Sequence, residues 1–264
     1  MPLPSMKDIE PTQLTLNSRF KFRCHKGVKC FTQCCSKIDI LLTPYDILRM
    51  KNRLGITSEE FLEKYTYMHI DEKTSHPFAL LKMSNDKEGK CPFVTADGCT
   101  IYTDRPLNCR YYPVGQAIHK KLEGKKTVDE EFYFFVREAH CLGYQSDREW
   151  SINEWKVNQG AELYDDMNRE WKTILLRDGI PGQERLNDQK RAMFYMASYD
   201  LDRFKSYIFG GRFLDVFDID RDEIEKIKTD EIALMKFGFK YLKYILMLEE
   251  TLKVKKEYLK NNNQ

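Results

Sequence analysis

The chain has 264 residues, of which 42% are hydrophobic and 32% charged, with a formal net charge of +2. That length can bury a sizeable core, the composition is globular rather than fibrous or disordered, and the charge balance selects no polyanionic partner. No apolar run approaches the ~20 residues of a membrane span, and the start "MPLPSMKDIEPTQ" lacks the apolar core of a secretory signal. The expectation is a cytoplasmic protein, with neither membrane nor nucleic acid among its partners.

Four cysteines, Cys24, Cys30, Cys34 and Cys35, come first along the chain. After them "KIDILL" predicts a short strand and "TPYDILRMKNRLG" a helix, with Thr43 as cap, Pro44 in the first turn and Gly55 as stop. "TSEEFLEKY" predicts a second helix, in which Thr57 and Glu60 stand at capping-box spacing. A strand in "PFALLKMS" and a turn in "NDKEGK" follow, then a tight hairpin in "CPFVTADGCTIY" joined by "TADG". "TDRPLNCRYYP" reads as irregular or as a single helical turn. "QAIHKKLEGKKTVDEEFYFFVREAHC" reads as a second hairpin turning at Gly124, with its basic residues at a solvated tip.

From Ser151 the apolar period changes to that of a helix. Ser151 and Glu154 form a capping box, and Ile152, Trp155, Leu163, Met167, Trp171 and Ile174 fall near one face. The pattern stops at Gly179, before Pro181. Residues 183–209 and 220–253 also read as helical. The fold class is therefore α+β. An irregular, cysteine-rich N-terminal half with short strands and hairpins (a metal-binding domain over 18–145) precedes a mainly helical region over 146–264, packed separately or as one unit with the first.

All eight cysteines, the four above with Cys91, Cys99, Cys109 and Cys141, lie in the first 141 residues. In a reducing compartment, closely spaced thiols bind metal or do redox chemistry more often than they form structural disulfides. The spacings do not name the metal. Only Cys30 with Cys34 or Cys35 meets the separation usual in structural zinc sites, and the ferredoxin run is absent. Adjacent side chains on an extended segment point apart. Cys34 and Cys35 therefore share one site only across an irregular turn, or else they serve two. Lys26, Lys29, Lys37 and Arg110 stand near cysteines and could offset thiolate charge. His25 and His140 adjoin cysteines and could substitute as ligands, although a surface histidine is the plainer reading of each. Cys141 alone reads equally well as a small buried hydrophobe.

The pattern resembles the YkgJ-type cysteine-cluster family, described as zinc- or iron-chelating and often labelled iron–sulfur. Cys24, Cys30, Cys34 and Cys35 followed by "IDILLTPYDILRM" resemble its first block, and "GKCPFVTADGCTIYTDRPLNCRYYP" resembles its second. The first block is looser than the family's usual spacing, because "HKGVK" separates Cys24 from Cys30. The resemblance implies all eight cysteines as the ligand set, with Cys141 the eighth. Its cysteine region is also similar to that of flagellin lysine N-methylase, where a four-iron cluster is implicated in methyl transfer.

Three functions follow as expectations. The first is a [4Fe-4S] protein for redox or cluster-assisted chemistry with an unknown protein or redox partner, in which Arg110, Tyr111 and Tyr112 shield the cluster. The second is a zinc-stabilised interaction module. The third, resting on the resemblance alone, is an enzyme that modifies protein lysines. No dinucleotide loop, H-E-x-x-H or P-loop occurs, and "FGGRF" and "GIPG" are too short to serve as one. Asp215, Asp218, Asp220 and Asp222 lack EF-hand spacing and read as helix caps.

Overall fold

The structure, a computed structural model, describes residues 9–10, 12–123, 126–178 and 185–261. The expected hairpin turn at Gly124 and the helix stop at Gly179 and Pro181, with the "GIPG" stretch, lie outside the described residues. Strand β1 (Arg19–Lys21) leads into the first cysteines, and β2 (Leu41–Leu42) is all that forms of the strand expected in "KIDILL". Helix α1 (Pro44–Leu54) begins where the Thr43 hydroxyl accepts from the Asp46 N–H while the Asp46 carboxylate takes the Thr43 N–H. Gly55 ends it at φ 67, in the left-handed region that glycine enters without a Cβ penalty. Helix α2 (Ser58–Tyr65) carries the capping box of Thr57 and Glu60.

Strand β3 (Thr66–Ile70) follows α2 without any punctuating glycine or proline, which is why the sequence reading missed it. After β4 (Pro77–Leu81) the hairpin of β5 (Val94–Thr95) and β6 (Gly98–Cys99) forms as expected, as does one helical turn, α3 (Leu107–Tyr111). Strands β7 (Val114–Glu123) and β8 (Lys126–Phe135) make the long hairpin. Then come β9 (Glu149–Ser151), α4 (Ile152–Gln159) and α5 (Ala161–Asp178).

The single long helix expected from Ser151 is thus two. Gly160 sits at φ 64 between them, and the preceding residue, Gln159, accepts at its C=O from the Arg110 guanidinium at 2.8 Å. The break shifts the buried stripe to Ala161, Tyr164, Asn168, Trp171 and Ile174 and leaves Leu163 exposed, contrary to its expected place on the apolar face.

The remaining helices are likewise shorter than the sequence pattern suggested. Helices α6 (Asp188–Tyr199) and α7 (Leu201–Gly210) divide at Asp200, and a single turn α8 (Phe213–Val216) leads to β10 (Phe217–Asp218). Helices α9 (Arg221–Thr229) and α10 (Glu231–Ile245) divide at Asp230, whose carboxylate accepts from Ile232 and Ala233 N–H. Residues 246–253, expected to be helical, instead lead into β11 (Lys253–Val254), which pairs with β10, and then α11 (Lys256–Asn261). Each division falls at an aspartate, because a short carboxylate satisfies the free N–H groups of a new helix start better than it sits within one. Asp220 caps α9 in this way, as the capping reading of that acidic run requires. The fold is α+β. No helix among the described residues is long and apolar enough to cross a membrane.

By its contacts the chain forms two compact units, and neither is continuous in sequence. One comprises Met1–Leu41 with Leu81–Asp165, the other Leu42–Leu80 with Asp166–Gln264, where the sequence reading drew one boundary between 145 and 146. The first unit holds all eight cysteines. Its core is aromatic: Phe22 packs edge-on against Tyr144 at 5.3 Å and Trp155 at 5.6 Å, and Trp150 packs on Trp155 at 5.3 Å. The indole N–H groups of Trp150 and Trp155 donate to the Phe22 and Tyr111 carbonyls, so these rings fix loop backbone as well as filling space. The second unit packs α10 against α6, α7 and α9. At its centre lie fully buried Trp171, Tyr199, Phe194, Phe204 and Phe239.

Candidate metal centre

Two backbone pairings gather the thiols. Strand β1 pairs antiparallel with β9, and the pairing runs on as Phe22 N–H donates to Arg148 C=O at 2.9 Å and Arg23 N–H to Gly143 C=O at 3.0 Å. This brings Cys24 beside the segment that carries Cys141. Gly143 is required there, since a Cβ would stand 2.5 Å from the Phe22 ring. In the second pairing, Cys91 N–H donates to Cys35 C=O and Lys37 N–H to Gly89 C=O, both at 2.8 Å. The β5–β6 hairpin then returns Cys99 opposite Val94.

Between these pairings the chain coils through successive tight turns: Val28, Phe31, Gln33 and Cys35 each donate an N–H to the carbonyl three residues back. Thr32 lies at φ 69 and Lys37 at φ 54, so the backbone reverses on both sides of the vicinal pair. An irregular turn at the adjacent cysteines, one of the two arrangements the sequence left open, is therefore present.

The turn distributes the thiols over two neighbourhoods. Cys24, Cys30, Cys34 and Cys141 line one cavity of about 10 Å³, together with Phe22, Tyr112, His140 and Gly143. Cys35 instead acts electrostatically on Cys91 and Cys99, and Arg105 stands near Cys109 and Cys99. The two neighbourhoods touch where the Cys34 thiol donates to Cys35. That bond, with burial, raises the pKa of Cys34; at Cys35 the bond lowers the pKa and outweighs burial, which raises it. Burial first, and then the neighbouring thiols Cys30, Cys141 and Cys35, push Cys24 up to about 11. Cys91 is likewise pushed up to about 11, chiefly by burial. As neutral thiols these groups are stable in place; as thiolates they need a positive partner.

The backbone supplies part of that partner. Leu142 N–H donates to Cys30 Sγ at 3.2 Å. Phe93 and Val94 N–H groups aim at the Cys91 sulfur, and the Ile101 N–H at that of Cys99. Such donors stabilise sulfur that carries negative charge and tune the metal it binds. Nothing in the residue types announces them, because they follow from the turns after each cysteine, and sequence reading did not find them. Of the residues named from sequence, Tyr112 lies in the cavity wall, its hydroxyl donating to Glu138 at 2.8 Å. His140 lies there too, while His25 turns its Nδ1 to the Gly27 N–H at 3.1 Å.

Arg110, expected to shield a cluster, gathers backbone. Its guanidinium donates to the carbonyls of Thr103, Arg105 and Gln159 and to the Tyr164 hydroxyl, and it lies over the Tyr164 ring at 4.0 Å. Arg105 donates to Tyr102 C=O and Gln159 Oε1. Both arginines are buried. Tyr111, by contrast, faces a polar network in which its hydroxyl donates to Asp165, itself ion-paired to Lys156 at 3.1 Å.

Among the described residues no three histidine, cysteine or acidic side chains already converge as a ligand set for one ion. The donor chemistry nevertheless fits a thiophilic metal: free thiols in two clusters, with amide donors on their sulfurs. The free thiols and their amide donors make this unit a cysteine-cluster region. Residues 23–148, which contain all eight cysteines, match the model of the CxxCxxCC family, described as a "Putative zinc- or iron-chelating domain". No curated protein and no solved structure matches the chain significantly.

Proposed function

We propose that this protein holds metal in two four-cysteine centres, Cys24, Cys30, Cys34 and Cys141 in one and Cys35, Cys91, Cys99 and Cys109 in the other, and that the metal is iron in a [4Fe-4S] cluster serving redox or cluster-assisted chemistry. The observation that carries this reading is the pair of buried arginines. Arg105 and Arg110 have no carboxylate partner among the described residues, and their hydrogen bonds go to carbonyls, an amide oxygen and a phenol. Burying an uncompensated charge costs several kcal/mol. The acidic groups that act on Arg105 are the Tyr102 phenol and the thiols of Cys109 and Cys99. Neutral thiols do not balance that charge, whereas thiolates on a metal centre of net negative charge do.

Iron over one zinc ion is supported by the spread of the first thiol group: four cysteines line one cavity without converging on a single point. A polynuclear core spans such a spread. When bound, the cluster would supply one-electron chemistry, while this chain's residues hold it, donate amide hydrogens to its thiolates and exclude water with Phe22 and Tyr112. Zinc is the second reading, favoured by the small cavity, about 10 Å³, which admits one atom. The experiment is iron, zinc and acid-labile sulfide analysis on protein purified without oxygen. Iron and sulfide in equal amounts, at about four of each per cluster, support the first reading. Zinc without sulfide ends the iron reading and keeps the chelating one. Metal-free protein whose cysteines all react with iodoacetamide in the native state ends both.

A further inference from the structure

Beside the first thiol group lies a second, larger concavity of about 650 Å³, lined by Arg23, His25, Val28, Lys29, Leu142, Gln145, Ser146, Asp147 and Arg148. Its size is that of a small-molecule site. Its charge is one-sided. Arg23, Lys29 and Arg148 line it, and among the described residues none of the three is paired with a carboxylate. The one acidic residue in the wall, Asp147, is fully exposed and has Lys21 as its ion partner at 3.9 Å. Unpaired cations converging on a concave surface raise the local concentration of anions.

The wall is also partly preorganised. The Arg148 guanidinium lies over the Trp150 ring at 4.0 Å, which holds its planar fork in a fixed plane without using its donors. Arg148 N–H is taken by Ser146 Oγ at 3.2 Å, so the serine hydroxyl hydrogen remains free to donate into the cleft. The Arg23 main chain is pinned by its bond to Gly143 C=O. Val28 and Leu142 add an apolar floor.

We propose that this cleft binds a small organic polyanion, with phosphate or carboxylate groups on Arg23, Lys29 and Arg148 and its less polar part on Val28 and Leu142. The bound anion would lie against the first thiol centre, because His25 follows Cys24, Lys29 precedes Cys30 and Leu142 follows Cys141. Leu142 joins the two sites directly: its side chain lines the cleft while its N–H bonds the Cys30 sulfur. Binding itself draws on the cations and not on the metal, so it stands or falls apart from the metal assignment.

The test is isothermal titration of the full chain with ATP and, separately, with citrate, at low and at near-physiological salt. The variants are the double change Arg23→Gln with Lys29→Gln and a control, Lys236→Gln, at an exposed position of the helical unit. The expected result is saturable 1:1 binding of at least one probe. It weakens tenfold or more in the double variant, is unchanged in the control, and weakens with salt. Metal content and thermal midpoint stay as in the parent, which separates loss of the site from loss of the fold. Binding of ATP alone identifies a phosphorylated ligand, binding of citrate alone a polycarboxylate, and binding of both the charge pattern they share. No binding of either probe, equal binding by the double variant, or an equal loss in the control overturns the proposal.

Discussion

The two units solve the same problem, free backbone polar groups, with a different balance of charges. In the helical unit carboxylates cap helix starts: Asp46, Glu60, Asp200, Asp220 and Asp230 take main-chain N–H groups. The cysteine-bearing unit caps α4 in the same way, through Glu154, but there cations also gather free carbonyls: Arg110 alone binds three C=O groups, one of them at the end of α4. Carboxylate caps cooperate with the positive end of a helix, so part of the stability of each capped helix is local. Arginines that gather carbonyls from separate loops stabilise only the assembled unit. Its strands β5, β6 and β9 are two or three residues long and cannot hold together as local elements. The helical unit thus draws part of its stability from local elements, whereas the other depends more heavily on a centre.

The largest effect that could break this comparison is metal removal. Chelation of the metal-loaded protein should strip hydrogen-exchange protection from residues 23–41 and 81–148 while α6 and α10 keep theirs. The expected scale is that of structural metal sites, on the order of 10 kcal/mol. Uniform loss in both units, or no loss in either, would show that the centre does not organise the first unit. Next in size is Trp171→Ala. Trp171 is 2% exposed, packs edge-on against Phe78 and Tyr199, and donates its indole N–H to Ser198 at 3.1 Å. Its truncation should cost about 3–5 kcal/mol in urea unfolding followed by circular dichroism, with metal content unchanged. A cost under ~1 kcal/mol would mean that the helical core does not depend on this ring.

Arg110→Met should cost about 3 kcal/mol, since it leaves the buried Arg105 carbonyl, the part-buried Thr103 and Gln159 carbonyls and the Tyr164 hydroxyl short of a donor. Arg110→Lys should rescue little, because an ammonium reaches fewer of these acceptors than the planar fork does. Full rescue by lysine would reduce Arg110 to a bare charge and weaken the contrast drawn above.

How far sequence alone reaches differs between the units in the same way. The caps of α1, α2 and α4 were legible because a capping box is a local pattern written in four consecutive residues. The division of α6 from α7 and of α9 from α10 was not: Asp200 and Asp230 sit inside apolar periods that continue across them, and only packing decides that the chain turns there. Gly160 was passed over for the same reason. At the site, the residue types pointed to metal through eight thiols before residue 142, yet their division into groups depends on pairings between residues 22–23 and 143–148 and between 35–37 and 89–91. Those register choices carry no local signal. The buried arginines were invisible as such, since an arginine in a loop reads as solvated until its carbonyl partners are known.

The smallest expected effect is the pH dependence, and it should split by unit. In the helical unit, burial raises the pKa of Asp71 and Asp202, but hydrogen bonds outweigh it. Asp71 accepts from Thr74 and Lys73, and Asp202 accepts from Ser58 N–H at 2.7 Å with Lys51 at 3.6 Å, so both carboxyls end below the ordinary 3.8. A depressed carboxyl contributes stability that is present above 3.8 and is lost as pH falls through the folded value. In the metal-free cysteine unit the sign is reversed. Cys24 and Cys91, ordinarily 9.0, are pushed up to about 11, so the folded state holds their protons more tightly than the unfolded one. That contribution is complete below pH 9.0 and disappears as pH rises through about 11. Native-state hydrogen exchange across pH, corrected for the intrinsic rate, would read both limbs. Acid should loosen α2 and α7 before the cysteine loops, and alkali should loosen the loops around Cys24 and Cys91 first. Asp202→Asn should remove part of the acid limb and leave the alkaline one untouched. An alkaline limb that persists unchanged in metal-loaded protein would mean that Cys24 and Cys91 remain thiols there and are not its ligands.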